Sequence, residues 1–428
     1  MDIQSYKSMK NAIWLFFFLL IFEGGLRRWF LPGLATPLLL VRDPVAIYLM
    51  YKAYRTSIFP KSIWVSFIIL LGFISIFTAL YWGHGNFFVA LFGARVLIIQ
   101  IPVLFIIGKV FHKDDVIKIG KAVLLISIPM AILITIQFYS PQSAWVNKGV
   151  GNDTNGAGFN GSGEYFRPPG TFSFITGVSS FFSFAACYIF YFWINPHLIK
   201  KYLLVMGTIA FIISIPTSIS RSLFFQAVII FLFFLLAKSN QPGFLKNILQ
   251  IVLGAIIVLI ILSKVNFLNT QIDAFTDRFT TANEQEGGLD GVFVDRFLGG
   301  LTGAFIDIDD PHCFFGLGIG MGTNVGAQLL SGKTAFLISE GEWGRIIGES
   351  GILIGILIIL FRILMTFEIT TKAITALKNG NQLPWMLLGY GFLQILQGTW
   401  SQPNGLGFYV LIGGLIIGAF NTKTNFSK

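Results

Sequence analysis

The chain has 428 residues, of which 54% are hydrophobic and only 12% charged, against about 25% charged residues in average soluble domains. With a mean hydropathy of +0.75 and 46 phenylalanines, this composition excludes an ordinary soluble fold and points to lipid-facing helices. The net charge of +10 sits largely on lysines in short loops between apolar runs, so membrane orientation accounts for it better than nucleic acid does.

The N-terminus carries Lys7 and Lys10 before an apolar run from Ala12 to Phe22, which continues into Glu23-Gly24-Gly25. It lacks a small-residue cleavage site and reads as a retained first helix. Spanning the hydrocarbon core takes about 20 apolar residues. Twelve segments are expected to do so: 11–31, 37–54, 62–82, 86–107, 119–139, 171–194, 202–219, 222–237, 247–263, 345–367, 383–400 and 403–420. The expected fold class is therefore an all-α polytopic membrane protein. Its parts are a first block of nine spans (1–263), one large extracytoplasmic loop (264–344) and three last spans (345–428).

Lysine-rich loops fix the expected orientation. Lys52, Lys61, Lys109, Lys113, Lys118, Lys121, Lys200, Lys201, Lys372 and Lys378 fall on the cytoplasmic side, with both termini. The opposite side and the embedded positions carry mainly arginine: Arg27, Arg28, Arg42, Arg95, Arg167, Arg221, Arg278, Arg296 and Arg345. Charge at mid-membrane costs at least ~2.5–3.5 kcal/mol, so each such residue needs a partner or a ligand. Pairing with Glu23, Asp43 or Asp295 is one explanation. An anionic substrate met by the planar guanidinium fork is the other, and it is favoured for the set. For Arg95, Glu23 and a phosphate are equal candidates.

Two segments on that side stand apart. Residues 140–170 hold a flexible glycine-rich stretch, Gly151 to Gly163. Residues 264–344 hold eleven of the twenty acidic residues and enough apolar positions to fold over the membrane domain. Cys187 and Cys313 are not expected to pair, and His84, His112, His197 and His312 are scattered, so no metal site is legible. Gly326 to Thr334 resembles a phosphate-binding loop but has one residue too many between its glycines. Gly316-Leu-Gly-Ile-Gly-Met-Gly322 is no dinucleotide fingerprint; its alternating glycines suit close approach of backbone to a ligand or a helix.

Three constellations carry the chemistry. They are Arg167-Pro-Pro-Gly-Thr-Phe172, Thr217-Ser-Ile-Ser-Arg221-Ser222, and Gly316-Leu-Gly-Ile-Gly320 followed by Glu340-Gly-Glu-Trp-Gly-Arg345-Ile-Ile-Gly-Glu349-Ser-Gly351. In this order they resemble the superfamily of O-antigen ligases and Wzy-type polysaccharide polymerases. The early Glu23-Gly-Gly-Leu-Arg27-Arg28 and Arg42-Asp43-Pro44 look similar to segments of bacterial polysaccharide polymerases. The resemblance covers roughly residues 165–356. Ligases place a histidine nine residues before the glutamate of E-x-G. Here that position is Glu340, which favours a polymerase-like member.

The resemblance implies a GT-C-like, metal-independent glycosyltransferase of the bacterial inner membrane that needs no cofactor and usually inverts the anomeric carbon. It would polymerise or transfer lipid-linked oligosaccharides on undecaprenyl pyrophosphate at the periplasmic face, for O-antigen, capsule or exopolysaccharide. Expected partners are the lipid-linked donor and acceptor, membrane lipids and a chain-length regulator, with no nucleic acid. Departing pyrophosphate needs cations: Arg221 and Arg345 first, then Arg167 and Arg296, with Arg95 secondary. The acceptor hydroxyl needs a base: Glu340 first and Glu342 second, with His312 and Glu349 behind them. On the plainer reading Glu342 and Arg345 simply pair at i, i+3, and Trp343 is an interfacial anchor. The alternative functions are ligase-type transfer to a lipid or protein acceptor, and transport or flipping of lipid-linked sugars.

Overall fold

The computed structural model describes residues 3–239, 266–285, 314–332, 338–339 and 341–421. The expected ninth span (247–263), Arg296, His312, Glu340 and much of the large loop lie outside the described residues.

The helices in chain order are α1 (Ile3–Gly25), α2 (Ala35–Leu38), α3 (Arg42–Arg55), α4 (Ile63–Tyr81), α5 (Phe87–Arg95), α6 (Ile101–Val110) and α7 (Lys113–Tyr139). A hairpin of β1 (Phe159–Ser162) and β2 (Tyr165–Arg167) follows, and then α8 (Thr176–Ile194), α9 (Lys201–Thr217) and α10 (Arg221–Lys238). The remainder comprises α11 (Asn266–Gln285), α12 (Asn324–Ser331), α13 (Glu342–Lys378), α14 (Leu383–Gln397) and α15 (Pro403–Phe420). Among the described residues nine helices are long and apolar enough to cross a membrane. The protein is an all-α polytopic membrane protein. Two expected spans come out short: α9 with 17 residues and α14 with 15.

Phenylalanine-rich faces exposed on α1 and α4 suit lipid, while α8 and α15 are buried on nearly every side. Close packing of α15 on α6 depends on small residues, as is usual between membrane helices. A Cβ at Gly413 would lie 2.5 Å from Leu104, and one at Gly414 would lie 2.6 Å from Ile107.

Two spans carry π-helical insertions: Leu26–Phe30 extends α1, and Val96–Gln100 joins α5 to α6. Such bulges rotate the following side chains and recur at functional sites. Here they set Arg27 and Arg28 into the protein, and Arg95 precedes the second.

Three expectations need correction. The sixth span begins at Thr176 rather than 171. Residues 171–173 run non-helically against α1, where a Cβ on Gly24 would fall 2.2 Å from Ser173 N, and Thr171 Oγ1 donates to Ile21 O at 2.6 Å. Of the stretch expected to be flexible, Gly151 to Gly163, the last part forms β1 and pairs with β2, and the residues before it form turns and irregular chain. Its flanks are pinned by Arg28, whose guanidinium donates to the carbonyls of Val146, Lys148, Gly170 and Phe172 at 2.6–3.3 Å.

The third correction concerns the tenth span, which is not straight. Gly351 (φ 71°, ψ 174°) interrupts α13. Twenty residues of straight helix would separate Glu342 from Arg362 by ~30 Å, yet their side chains meet at 3.1 Å. A Cβ on Gly355 would sit 3.0 Å from Ile347 Cα. The chain therefore folds back at Gly351, and a short arm, 342–350, lies beside the long arm, 352–378.

Gly351 is the residue on which this reversal turns. Its φ suits glycine alone, and a Cβ would lie 2.1 Å from Phe314 O. Gly351→Ala is expected to destabilise the protein by at least ~2–3 kcal/mol. Gly380→Ala, at a positive φ in open space, should cost only about 1 kcal/mol. Apparent Tm in detergent would separate the two.

Candidate functional site

The reversal at Gly351 creates the site. In an unbroken helix the carbonyls of Gly348 and Glu349 would accept from residues 352 and 353. The break frees them, and a glycine-rich strand takes their place: Leu317 N donates to Gly348 O at 2.8 Å, and Gly318 N to Glu349 O at 2.9 Å. Gly316, Gly318 and Gly320 have φ of +75°, +107° and +94°, so every second residue is left-handed, which glycine tolerates. Opposite, Gly93 of α5 admits the same strand, since a Cβ there would lie 2.4 Å from Gly320 N. The alternating glycines thus let backbone approach helices on both sides.

Buried charges converge on the short arm. Glu342 accepts from Arg345 Nη2 at 2.7 Å and Nε at 3.1 Å, from Arg362 Nη1 at 3.1 Å, and from Trp400 N at 3.1 Å. Arg345 Nη1 also donates to Glu349 Oε2. The other oxygen, Glu349 Oε1, accepts from Gly322 N at 2.8 Å. Glu349 therefore links the glycine strand to Arg345 through both its backbone and its side chain. All four charged side chains are at most 7% exposed, and their formal charges cancel.

Arg362 was not singled out in the sequence. Its one signal was a lone arginine inside an apolar run, a feature that by default marks function. It is fully buried. It donates to Ile395 O at 2.9 Å, Gly398 O at 2.8 Å and Gln394 O at 3.5 Å. It lies over the Trp400 ring at 4.3 Å and the Tyr409 ring at 5.7 Å. Ile395 O is left unpaired where α14 ends and Gly398 O lies just beyond it, whereas Gln394 O also accepts from Gly398 N at 2.9 Å; a cation at a helix C-terminus is favourable. Trp343, expected as an interfacial anchor, packs on the core and donates to Leu396 O of the same helix end at 3.2 Å.

A small pocket, part of it open to solvent, adjoins this cluster. Arg345, Glu349, Ser350, Thr323, Trp400 and Ser401 give it polar groups, and Gly93, Val96, Leu97, Ile319, Ile346 and Ile358 give it apolar wall. Four elements meet there: the glycine strand, the short arm of α13, the turn between α14 and α15, and the π-helical start after α5.

A second ionic cluster lies on the N-terminal helices. Glu23 accepts from Arg42 at 3.2 Å and Arg27 at 3.4 Å. Arg95 holds both oxygens of Asp43, at 2.8 and 3.0 Å, so the carboxylate beside it is Asp43, not Glu23. Arg95 Nε has no hydrogen-bond partner among the described residues. Here three arginines face two carboxylates, and Arg28 adds a charge held only by carbonyls.

The structure thus gathers Glu342, Arg345 and Glu349 and pairs Glu342 with Arg345. Arg95 belongs to the second cluster, and the segment that follows it reaches the pocket through Val96 and Leu97. Arg167 and Arg221 do not line this pocket. They belong to another corner. A Cβ on Gly161 would lie 2.8 Å from Ile219 and 3.3 Å from Arg167, and Arg221 opens α10 directly after its capping residue Ser220. No protein family, curated protein or solved structure matches this chain significantly.

Removing one member of a buried ion pair strands its partners, at a cost of about 3–5 kcal/mol. Glu342→Ala leaves Arg345 and Arg362 facing each other and should lose about that much, read as a fall in apparent Tm. Lys372→Ala, which removes an exposed pair with Glu368, should lose less than about 1 kcal/mol.

Proposed function

We propose that this protein is a membrane glycosyltransferase that polymerises or transfers lipid-linked oligosaccharides, with its substrate site at the pocket beside Arg345. What carries the reading is the convergence on one pocket of the glycine strand and the E-x-G helix, two of the motifs that resemble polysaccharide polymerases. The surplus of positive charge around Arg28, Arg42 and Arg95 supports an anionic substrate.

On this reading the donor is a glycan on undecaprenyl pyrophosphate. An acceptor hydroxyl attacks the anomeric carbon, the bond to pyrophosphate oxygen breaks, and the hydroxyl proton passes to a carboxylate. Arg345 uses three of its five N–H donors on Glu342 and Glu349 and has two left for phosphate oxygens. Glu342 already accepts four donors, so it fits positioning better than proton transfer. Glu340 is the proposed base. Arg221 and Arg167 are proposed to hold further anionic oxygens of donor or acceptor, and Arg296 and His312 remain candidates in the loop. The reading includes twelve spans in the bacterial inner membrane, the termini and lysine-rich loops in the cytoplasm, the large loop outside and a chain-length regulator as partner.

Transport of the same lipid-linked sugars is the second reading. It is favoured by the excess of buried arginine over carboxylate around Arg27, Arg42 and Arg95, charges that would line a path for an anionic lipid-linked sugar.

Purified protein in liposomes with an undecaprenyl-pyrophosphate oligosaccharide separates them. The proposal expects a ladder of longer lipid-linked glycans, lost in Arg221→Ala and Glu340→Gln at unchanged Tm. Single additions to a different lipid would mean ligase-type transfer. Movement of the lipid across the bilayer with no glycan growth would overturn the enzyme reading.

A further inference from the structure

We infer that Arg362 is a positioning residue, which aligns Arg345 at the pocket wall by acting through Glu342. The inference rests on the proposed use of this pocket as the substrate site.

Three observations lead to it. First, Arg362 is itself fixed. It is fully buried, donates to three carbonyls at the end of α14, and lies over two aromatic rings. Second, its remaining contact is Glu342 Oε1, the same oxygen that accepts from Arg345 Nη2. Trp400 N, from the turn that Arg362 organises, donates to that oxygen as well. The carboxylate is thereby held from two sides by the α14 end. Third, Glu342 grips Arg345 through two parallel bonds, from Nε and Nη2, a geometry that fixes the guanidinium plane.

Arg345 lines the pocket while Glu342 and Arg362 do not. The order of action runs from the C-terminal end of α14 to Arg362, then Glu342, then Arg345, then the ligand. Lysine cannot replace Arg362 here, because one ammonium cannot serve carbonyls and a carboxylate in the plane of a fork. A role limited to charge balance would be met by lysine.

The test uses Arg362→Lys and Glu342→Asp in the full-length protein in detergent. Both keep every formal charge, and the second also leaves Arg362 its carbonyls, so it serves if the first does not fold. Two quantities are read beside Tm. One is the rate at which a dicarbonyl reagent modifies Arg345, followed by peptide mass spectrometry. The other is kcat and KM for glycan elongation.

Misalignment should speed modification of Arg345 several-fold and lower kcat on the order of 10- to 100-fold, with KM within about twofold. The double variant should be no worse than the poorer single one, since both act through the same link. Wild-type modification rates in folded variants would overturn the inference, as would losses that add. The modification readout needs no glycan transfer. Faster modification in a protein that elongates no glycan would sustain the positioning role and fail the enzyme reading.

Discussion

A helix that ends among buried side chains leaves carbonyl groups that water does not reach. α14 has 15 residues and ends beside the buried Ile395, Arg362 and Trp400. Its last carbonyls need donors from the protein: Arg362 serves Ile395 O and Gly398 O, and Trp343 serves Leu396 O. A buried guanidinium in turn needs a counter-charge, and Glu342 provides it. Bringing Glu342 to Arg362 requires the chain to fold back at Gly351. The fold-back frees the carbonyls of Gly348 and Glu349, and the glycine strand fills that gap. The pocket's polar wall is thus the end of a sequence of compensations that begins with one short helix.

The two ionic clusters serve different ends. Around Glu342 the formal charges cancel, and every carboxylate oxygen has a donor. That arrangement is self-sufficient, and its energetic value lies mainly in the penalty for breaking it. The N-terminal cluster has more arginine than carboxylate. Arg28 is satisfied by backbone carbonyls alone, and in doing so it ties residues 146–172 to the end of α1. This arginine is structural in effect, whatever the field it adds. Arg95 differs, with both Asp43 oxygens on one nitrogen and Nε without a partner among the described residues. Its neighbours Val96 and Leu97 reach the pocket, which connects the positive cluster to the neutral one.

Much of the helical layout was legible because apolar runs of membrane length are hard to mistake. The short spacing of Glu342 and Arg345 also made their pairing readable. What escaped depends on tertiary packing. Residues 171–175 adjoin the apolar run of a span, yet they form turns outside the helix, because Gly24 lets the backbone of 171–173 lie against α1. The reversal at Gly351 was hidden because a glycine inside an apolar run reads equally well as a tolerated helix residue. Only the fit against Phe314 makes its unusual φ visible. Asp43 and Arg95 are 52 positions apart, so no local spacing joins them. Arg362 stood as a lone charge in an apolar run. Its importance is set by α14, whose end falls short for reasons its composition does not reveal.

The neutral cluster also bears on turnover under the proposed chemistry. A site of bare arginines would bind pyrophosphate tightly as substrate and again as product. Tight uniform binding lowers KM without raising kcat. Arg345 held between Glu342 and Glu349 presents two N–H donors but little net charge. It would attract a resting diphosphate weakly and gain most as negative charge builds on the departing oxygen. Such a donor must be aimed in advance, since a guanidinium free to swing would follow the ground state as readily as the transition state. The demand for aim, rather than for charge, makes the links from α14 through Arg362 and Glu342 more than scaffolding on this reading.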